Sequence, residues 1–243
     1  MTPRFDLYDF IANLIPGVVF LWCMQTMGSL IGWTLPLDFA GGLTETSVLV
    51  ALSYVTGLLL QGVSQGVVER YILKPLWKGF PSERWLLTDD KHFSTDYKSR
   101  LFSLVTSRFG VATEPELPSD CPSHCAYKLR LKKNRELFYL CYHEVGLTNP
   151  RPLVLNAHYG LFRGLLTMFG LLAVFSFTGL IWTLLTVQSQ AAAFGVWTAL
   201  FVAATLIAYI RCKKRSEDFA QSVFDLFIVS MANKLPVEQV SKA

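Results

Sequence analysis

The sequence predicts an all-α membrane protein: four helical spans, with an α-helical cytoplasmic domain inserted between spans two and three. Three observations predict it. The 243 residues are 52% hydrophobic and 16% charged, against about 25% charged in an ordinary soluble domain. The apolar residues collect in four blocks of roughly 20–26 residues, each long enough to cross a hydrocarbon core of about 30 Å as a helix. No stretch alternates with the period of two that a half-buried strand needs. This balance excludes a disordered chain, which needs few apolar residues and many charges. It also argues against a plain soluble enzyme, whose single core does not need that much apolar surface.

The first block runs from Phe10 to Leu35, interrupted only by Asn13 and the Gln25–Thr26 pair. Asp6 and Asp9 stand before it beside a lone Arg4, and the apolar run is too long for a signal-peptide core. It therefore reads as a retained span, with Pro16–Gly17 expected to kink it. The second block is Thr46–Val68, the third Leu161–Val187 and the fourth Ala191–Ile210. Orientation follows from basic residues. The loops Pro36–Glu45 and Gln188–Gln190 hold none of the 22 Lys and Arg residues. Arg211, Lys213, Lys214 and Arg215 directly follow span four. Basic loops stay cytoplasmic, so both termini and the middle segment are expected on that side of the membrane.

The chain thus divides into spans one and two (residues 1–68), a cytoplasmic helical domain (69–160), spans three and four (161–211) and an amphipathic tail helix (212–243). In the domain, Ser94–Phe109 reads as a helix with Asp96 in its first turn, Leu101, Leu104 and Val105 on its apolar stripe and Gly110 as its stop. Pro115, Pro118 and Pro122 make the next segment a loop. A second helix follows over Ala126–Val145, and a long helix over Leu153–Thr186 leads into span three without a break. In the tail, Phe219, Val223, Phe224, Phe227, Ile228 and Met231 recur at helical spacing. That face is expected to pack on the cytoplasmic domain or a neighbouring subunit.

Catalytic fingerprints are missing: there is no Walker A pattern, no Gly-x-Ser-x-Gly and no His-Glu-x-x-His. The chain is not expected to be an enzyme or to carry a cofactor. Cys121, His124, Cys125, Cys141 and His143 are zinc-type ligands, but their spacing is not that of a zinc knuckle. Cys141 and His143 would face different sides of a helix, so no metal is assigned. Arg151 and His158 fit the loose Arg-x4–6-His pattern of HEPN ribonucleases, with Pro152 an atypical neighbour. A membrane-bound HEPN-like or zinc-dependent enzyme is the third-ranked reading.

Three other sets carry the functional expectation. Gln61, Ser64 and Gln65 form a polar strip in span two and are candidate pore-lining residues, because neutral polar groups in hydrocarbon need a partner helix or water. Gly28, Gly32, Gly62 and Gly66 stand four apart in pairs and are candidate helix-packing positions. Lys128, Lys132 and Arg135 share one face of the second domain helix and are candidate contacts for an anionic ligand or a partner. Ionised residues occur only near span ends, at Glu69, Arg70 and Arg163. This disfavours an ion-coupled transporter, which uses intramembrane carboxylates.

Two stretches carry a resemblance. Phe5-Asp-Leu-Tyr-Asp-Phe-Ile-Ala-Asn-Leu-Ile-Pro-Gly17 resembles the start of small bacterial membrane proteins encoded near phage-defence genes, and Asn156-Ala-His-Tyr-Gly-Leu-Phe-Arg-Gly164 resembles a second shared element. The layout is similar to membrane subunits of Hailong-type defence and to membrane accessory proteins of RNA-targeting CRISPR systems. That resemblance implies an oligomeric channel or pore-forming effector, gated by a cytoplasmic signal, in anti-phage defence. The alternative is a membrane anchor or sensor that recruits a cytosolic effector without forming a pore. The expected partners are the lipid bilayer, further copies of the chain, and a cytosolic defence protein or an anionic nucleotide or nucleic-acid signal.

Overall fold

The computed structural model of the chain describes residues 7–33, 42–115, 122–186 and 188–234. Their regular structure is entirely helical. Four helices are long and apolar enough to cross a membrane, and a helical domain is inserted between the second and third. The chain divides into two compact units. Residues 1–73 and 157–214 form the first, and 74–156 with 215–243 form the second.

The first unit begins with α1 (Leu7–Leu30), which runs helically through Pro16. It stops in a turn around Gly32, whose φ of +75° suits glycine. Trp33 N–H donates to the Gly28 carbonyl and Gly32 N–H to that of Ser29, a Schellman arrangement that satisfies the last carbonyls. Helix α2 (Leu43–Val63) starts where the Glu45 carboxylate accepts a hydrogen bond from Gly42 N–H at 2.5 Å, which also places an acid at the positive end of the helix dipole. It passes without a break into a π-helical segment, Ser64–Leu73.

Helices α7 (Arg151–Thr186) and α8 (Ala191–Lys234) supply the remaining spans, joined through a 3-10 turn at Gln188–Gln190. Span four and the tail helix run on as one helix of 44 residues, and the division between the two units falls within it, after Lys214. Nothing in Arg211–Arg215 stops a helix, since Lys and Arg are good helix formers. The core of this unit is Cys23, Met27, Leu60, Met168, Leu172, Phe194 and Phe201. Several hydroxyls within the spans bond back to their own helix, as Thr167 does to the Arg163 carbonyl and Thr183 to that of Gly179, so these cost little in an apolar setting.

The second unit is built on large side chains. After a short α3 (Lys74–Leu76) and α4 (Pro81–Arg84) come α5 (Thr95–Phe109) and α6 (Ser123–Gly146). Helix α5 has the expected ends. The Ser94 hydroxyl accepts from Tyr97 N–H at 3.2 Å, and Gly110 closes the helix at φ 64°. Trp85, Leu101, Val105, Leu137, Phe138, Cys141 and Val145 pack against Val223, Phe224, Phe227, Ile228 and Met231 of α8. The apolar face of the tail therefore does pack on the domain.

Candidate functional site

The polar strip of the second span is not a uniform lining. Gln61 Nε2 donates to the Gly160 carbonyl of α7 at 3.1 Å. A side chain at Gly164 would stand 2.9 Å from that same amide nitrogen. Gly164 thus makes room for the Gln61 side chain, and the Gly160 carbonyl holds its amide. Ser64 is fully buried, and of the three only Gln65 is exposed.

The glycines also divide. Gly28 and Gly32 belong to the cap of α1, where Trp33 fills the space beside Gly28. Gly62 and Gly66 are exposed, with nothing of the described chain within 4 Å of where a side chain would begin. The close approach between α1 and α2 is made elsewhere. A side chain at Gly17 would collide with the Ser53 carbonyl, and one at Gly57 with the Asn13 carbonyl. Gly17 is at the Pro-Gly break, and Gly57 stands four residues after Ser53, a small-residue pair that precedes Gly62 and Gly66 in span two.

Below the strip lies a charged centre that sequence reasoning placed only at the span ends. Arg163 of α7 is buried and pairs directly with Glu69 of the π segment. The guanidinium also lies over the Tyr159 ring, 5.2 Å from its centroid. Burying an arginine is tolerable only with its charge paired and hydrogen-bonded, and Glu69 supplies that pairing. Cys212 of α8 is fully buried in the same unit. The sequence signal was Glu69 followed by an arginine at the start of span three. Only the fold shows that they meet.

In the second unit the basic face of α6 splits in two. The Arg135 guanidinium donates through Nε to Glu83 Oε1 at 2.6 Å. Glu83 is 1% exposed and also holds Lys74 at 3.4 Å. Asn134 Nδ2 donates to the Glu83 carbonyl at 2.8 Å. Arg135 thus fastens α6 to α4, whereas Lys128 and Lys132 are exposed. Close by, Lys98 is buried and its ammonium donates to the Leu87 and Asp90 carbonyls. Arg84 Nε donates to Asp90 Oδ2 at 3.0 Å, holding the same turn.

Among the described residues, no group of three or more His, Cys, Asp or Glu side chains is arranged to hold a metal. Cys121 lies outside the described residues. Cys141 is a core residue, its thiol pushed up to about 12 by burial, and His143 is exposed. Arg151 is exposed and His158 half-buried.

No family model, curated protein or solved structure matches this chain. Function must therefore be argued from the geometry. The features that stand out are the exposed Gly62, Gln65 and Gly66 face, the Glu69–Arg163 pair directly below it, and the exposed lysines of α6.

Proposed function

We propose that the chain is a subunit of a homo-oligomeric bacterial inner-membrane channel. Both termini and the inserted helical domain would be cytoplasmic, and a cytoplasmic signal would gate the channel in anti-phage defence. One observation carries the reading. The outer face of span two presents an exposed amide, Gln65, between two glycines that no part of the described chain covers. An amide facing lipid lacks hydrogen-bond partners, and small residues allow close helix approach. A second copy of the chain and a water-filled path would satisfy both conditions together. Gln65 then replaces Gln61 and Ser64 as the main lining residue, since those two are engaged or buried within the subunit. The defence setting rests on the resemblance at residues 5–17 and 156–164.

The test is ion flux in liposomes together with oligomer size in detergent. Gln65→Leu is expected to lower flux by at least about tenfold while leaving the oligomer intact. A strictly monomeric protein without flux would overturn the reading. That outcome would favour a membrane anchor that recruits a partner through Lys128 and Lys132, two of the exposed cations on α6.

A further inference from the structure

Helix α6 turns Leu131, Leu137, Phe138, Cys141 and Val145 inward, and beside that buried face it carries a row of cations. Lys128, Lys132, Arg135 and Tyr139 follow one another at intervals of four, three and four residues, so they stand in line along the helix. The row spans about 16 Å at 1.5 Å per residue. Lys128 and Lys132 are exposed, and the Tyr139 ring at the end of the row is 59% exposed. The nearby acid Glu136 lies 3.9 Å from Lys133, which is outside the row.

The anchored member of the row is not neutralised either. Glu83 is buried, accepts from Arg135 and lies 3.4 Å from the Lys74 ammonium. Two cations thus share one carboxylate, and their side chains stay 35% and 43% exposed. One positive charge is left over at the surface. Arg135 engages Glu83 through Nε and Nη2, so that pair does not use its Nη1 group, which can donate outward. The surface therefore offers three positive charges, at Lys128, at Lys132 and at the Lys74–Arg135 pair, and an exposed aromatic ring at one end. Two clefts of this unit, which share Leu87, Thr88 and Arg130, include none of these residues.

We propose that this row binds single-stranded nucleic acid, with phosphates on Lys128, Lys132 and the Lys74–Arg135 pair and a base stacked on Tyr139. A line of cations beside an exposed ring is how a strand is held without reading its sequence, the charges tracking the backbone and the ring taking a base. A mononucleotide would need a concave pocket, and this row lies outside both clefts. A helix lying in the membrane interface needs a broad apolar face, which the row does not offer, since the apolar face of α6 is in the core. The proposal names the chemical class of the cytoplasmic signal, and it rests on the channel reading only for the effect on gating.

The experiment uses the full chain in phosphatidylcholine nanodiscs and a fluorescent single-stranded RNA of mixed sequence, with binding read by anisotropy. Three phosphate contacts predict an affinity that falls about twentyfold between about 50 and 200 mM salt. Lys128→Gln combined with Lys132→Gln should leave one contact, weaken binding and reduce that fall to about threefold, with the melting temperature unchanged. Tyr139→Ala should weaken RNA binding by at least about fivefold through the lost stack, yet leave retention on heparin unchanged, because heparin carries no bases. Equal effects of Tyr139→Ala on RNA and heparin would overturn the proposal, and so would RNA binding whose salt dependence survives the double lysine variant. If no RNA binds, while phosphatidylglycerol in the disc raises the melting temperature of the parent and not of the double variant, the row meets headgroups and the proposal fails. RNA bound at the row of a protein that never conducts ions would uphold the surface and overturn the channel reading. Ion flux without any bound RNA would overturn the surface alone.

Discussion

The two units of this protein are both helical, yet opposite kinds of contact hold them. In the span unit the apolar residues face outward as much as inward. Val174, Trp182, Leu185, Val196 and Ile210 are all exposed. Hydrophobicity alone therefore cannot choose which face of a span meets its neighbour, since lipid tails are as apolar as a leucine side chain. The choice falls to small and polar features: backbone approach at Gly17 and Gly57, the Gly179 contact with the Phe194 ring, the Gln61 amide beside Gly164 and on the Gly160 carbonyl, and the Glu69–Arg163 pair. In the second unit burial itself discriminates. Trp85 stacks on His92 with centroids 3.5 Å apart. Phe224 meets Phe93 and Phe138 edge-on at 5.8 and 5.5 Å. Specificity comes from size and shape in one unit and from the lack of size in the other.

The sharpest way to break this comparison is to add volume where the spans have none. Gly57→Leu is expected to abolish the folded chain, because even a methyl group there meets the Asn13 backbone. Gly62→Leu, five residues further along the same helix, has open space and should leave the subunit folded, although it should disturb self-association under the channel reading. Detergent-extracted yield and circular dichroism read the first effect, and size-exclusion chromatography the second. Equal loss in both variants would mean that span two tolerates no added bulk anywhere and that Gly57 is not special.

The converse test removes volume. Phe227→Ala empties a fully buried position of the second unit and should cost about 3–5 kcal/mol, the usual penalty for truncating a core aromatic. Val196→Ala on the exposed face of α8 should change thermal stability by less than about 0.5 kcal/mol. Differential scanning calorimetry of the full chain in detergent separates them. Similar shifts for the two variants would remove the distinction between the units.

Alkaline pH also acts on the second unit. Burial pushes the Cys141 thiol from its usual 9.0 up to about 12. Tyr97 moves the same way through burial and through the hydrogen bond that its hydroxyl donates to Asp225 at 2.7 Å. Both folded-state values are raised, so the stability these protonated groups contribute is complete below their unfolded values. For Cys141 it is lost as pH rises from about 9 toward 12, because there the unfolded chain releases a proton that the folded chain keeps. The unfolding midpoint should fall across that window, and Cys141→Ala should flatten the decline. An unchanged slope in that variant would place the alkaline sensitivity elsewhere.

How much of this was legible in the sequence follows from the same contrast. The four spans, the inserted domain, the stop at Gly110 and the apolar face of the tail helix could be read because each is a local pattern of period or end chemistry. Spacing alone cannot distinguish a helix cap from a helix crossing within the chain. Gly28 and Gly32 match the small-residue pattern and serve as a cap, while the crossing uses Gly17 and Gly57. The Glu69–Arg163 pair joins residues 94 apart, and no periodicity encodes such a separation. The π winding was also out of reach, because an α-helical wheel was assumed in placing Gln61, Ser64 and Gln65 together. The change from apolar to basic composition after Ile210 lies close to the division between the two units, after Lys214, but it does not stop the helix, whose backbone is indifferent to it.

The smallest expected effect concerns the three cations that shared a face of α6. Arg135 is committed to a buried acid, whereas Lys132 is exposed. Because the Arg135 side chain is itself 43% exposed, solvent screens the pair, and Arg135→Gln should cost only about 1 kcal/mol. Lys132→Gln should fall within about 0.5 kcal/mol of the parent. If Lys132 serves a ligand rather than the fold, its substitution should lower retention on an immobilised polyanion such as heparin at moderate salt, with the melting temperature unchanged. The reverse pattern, stability lost at Lys132 and retained at Arg135, would mean that Glu83 does not depend on Arg135. The distinction between a cation that fastens two helices and one that faces outward would then fail.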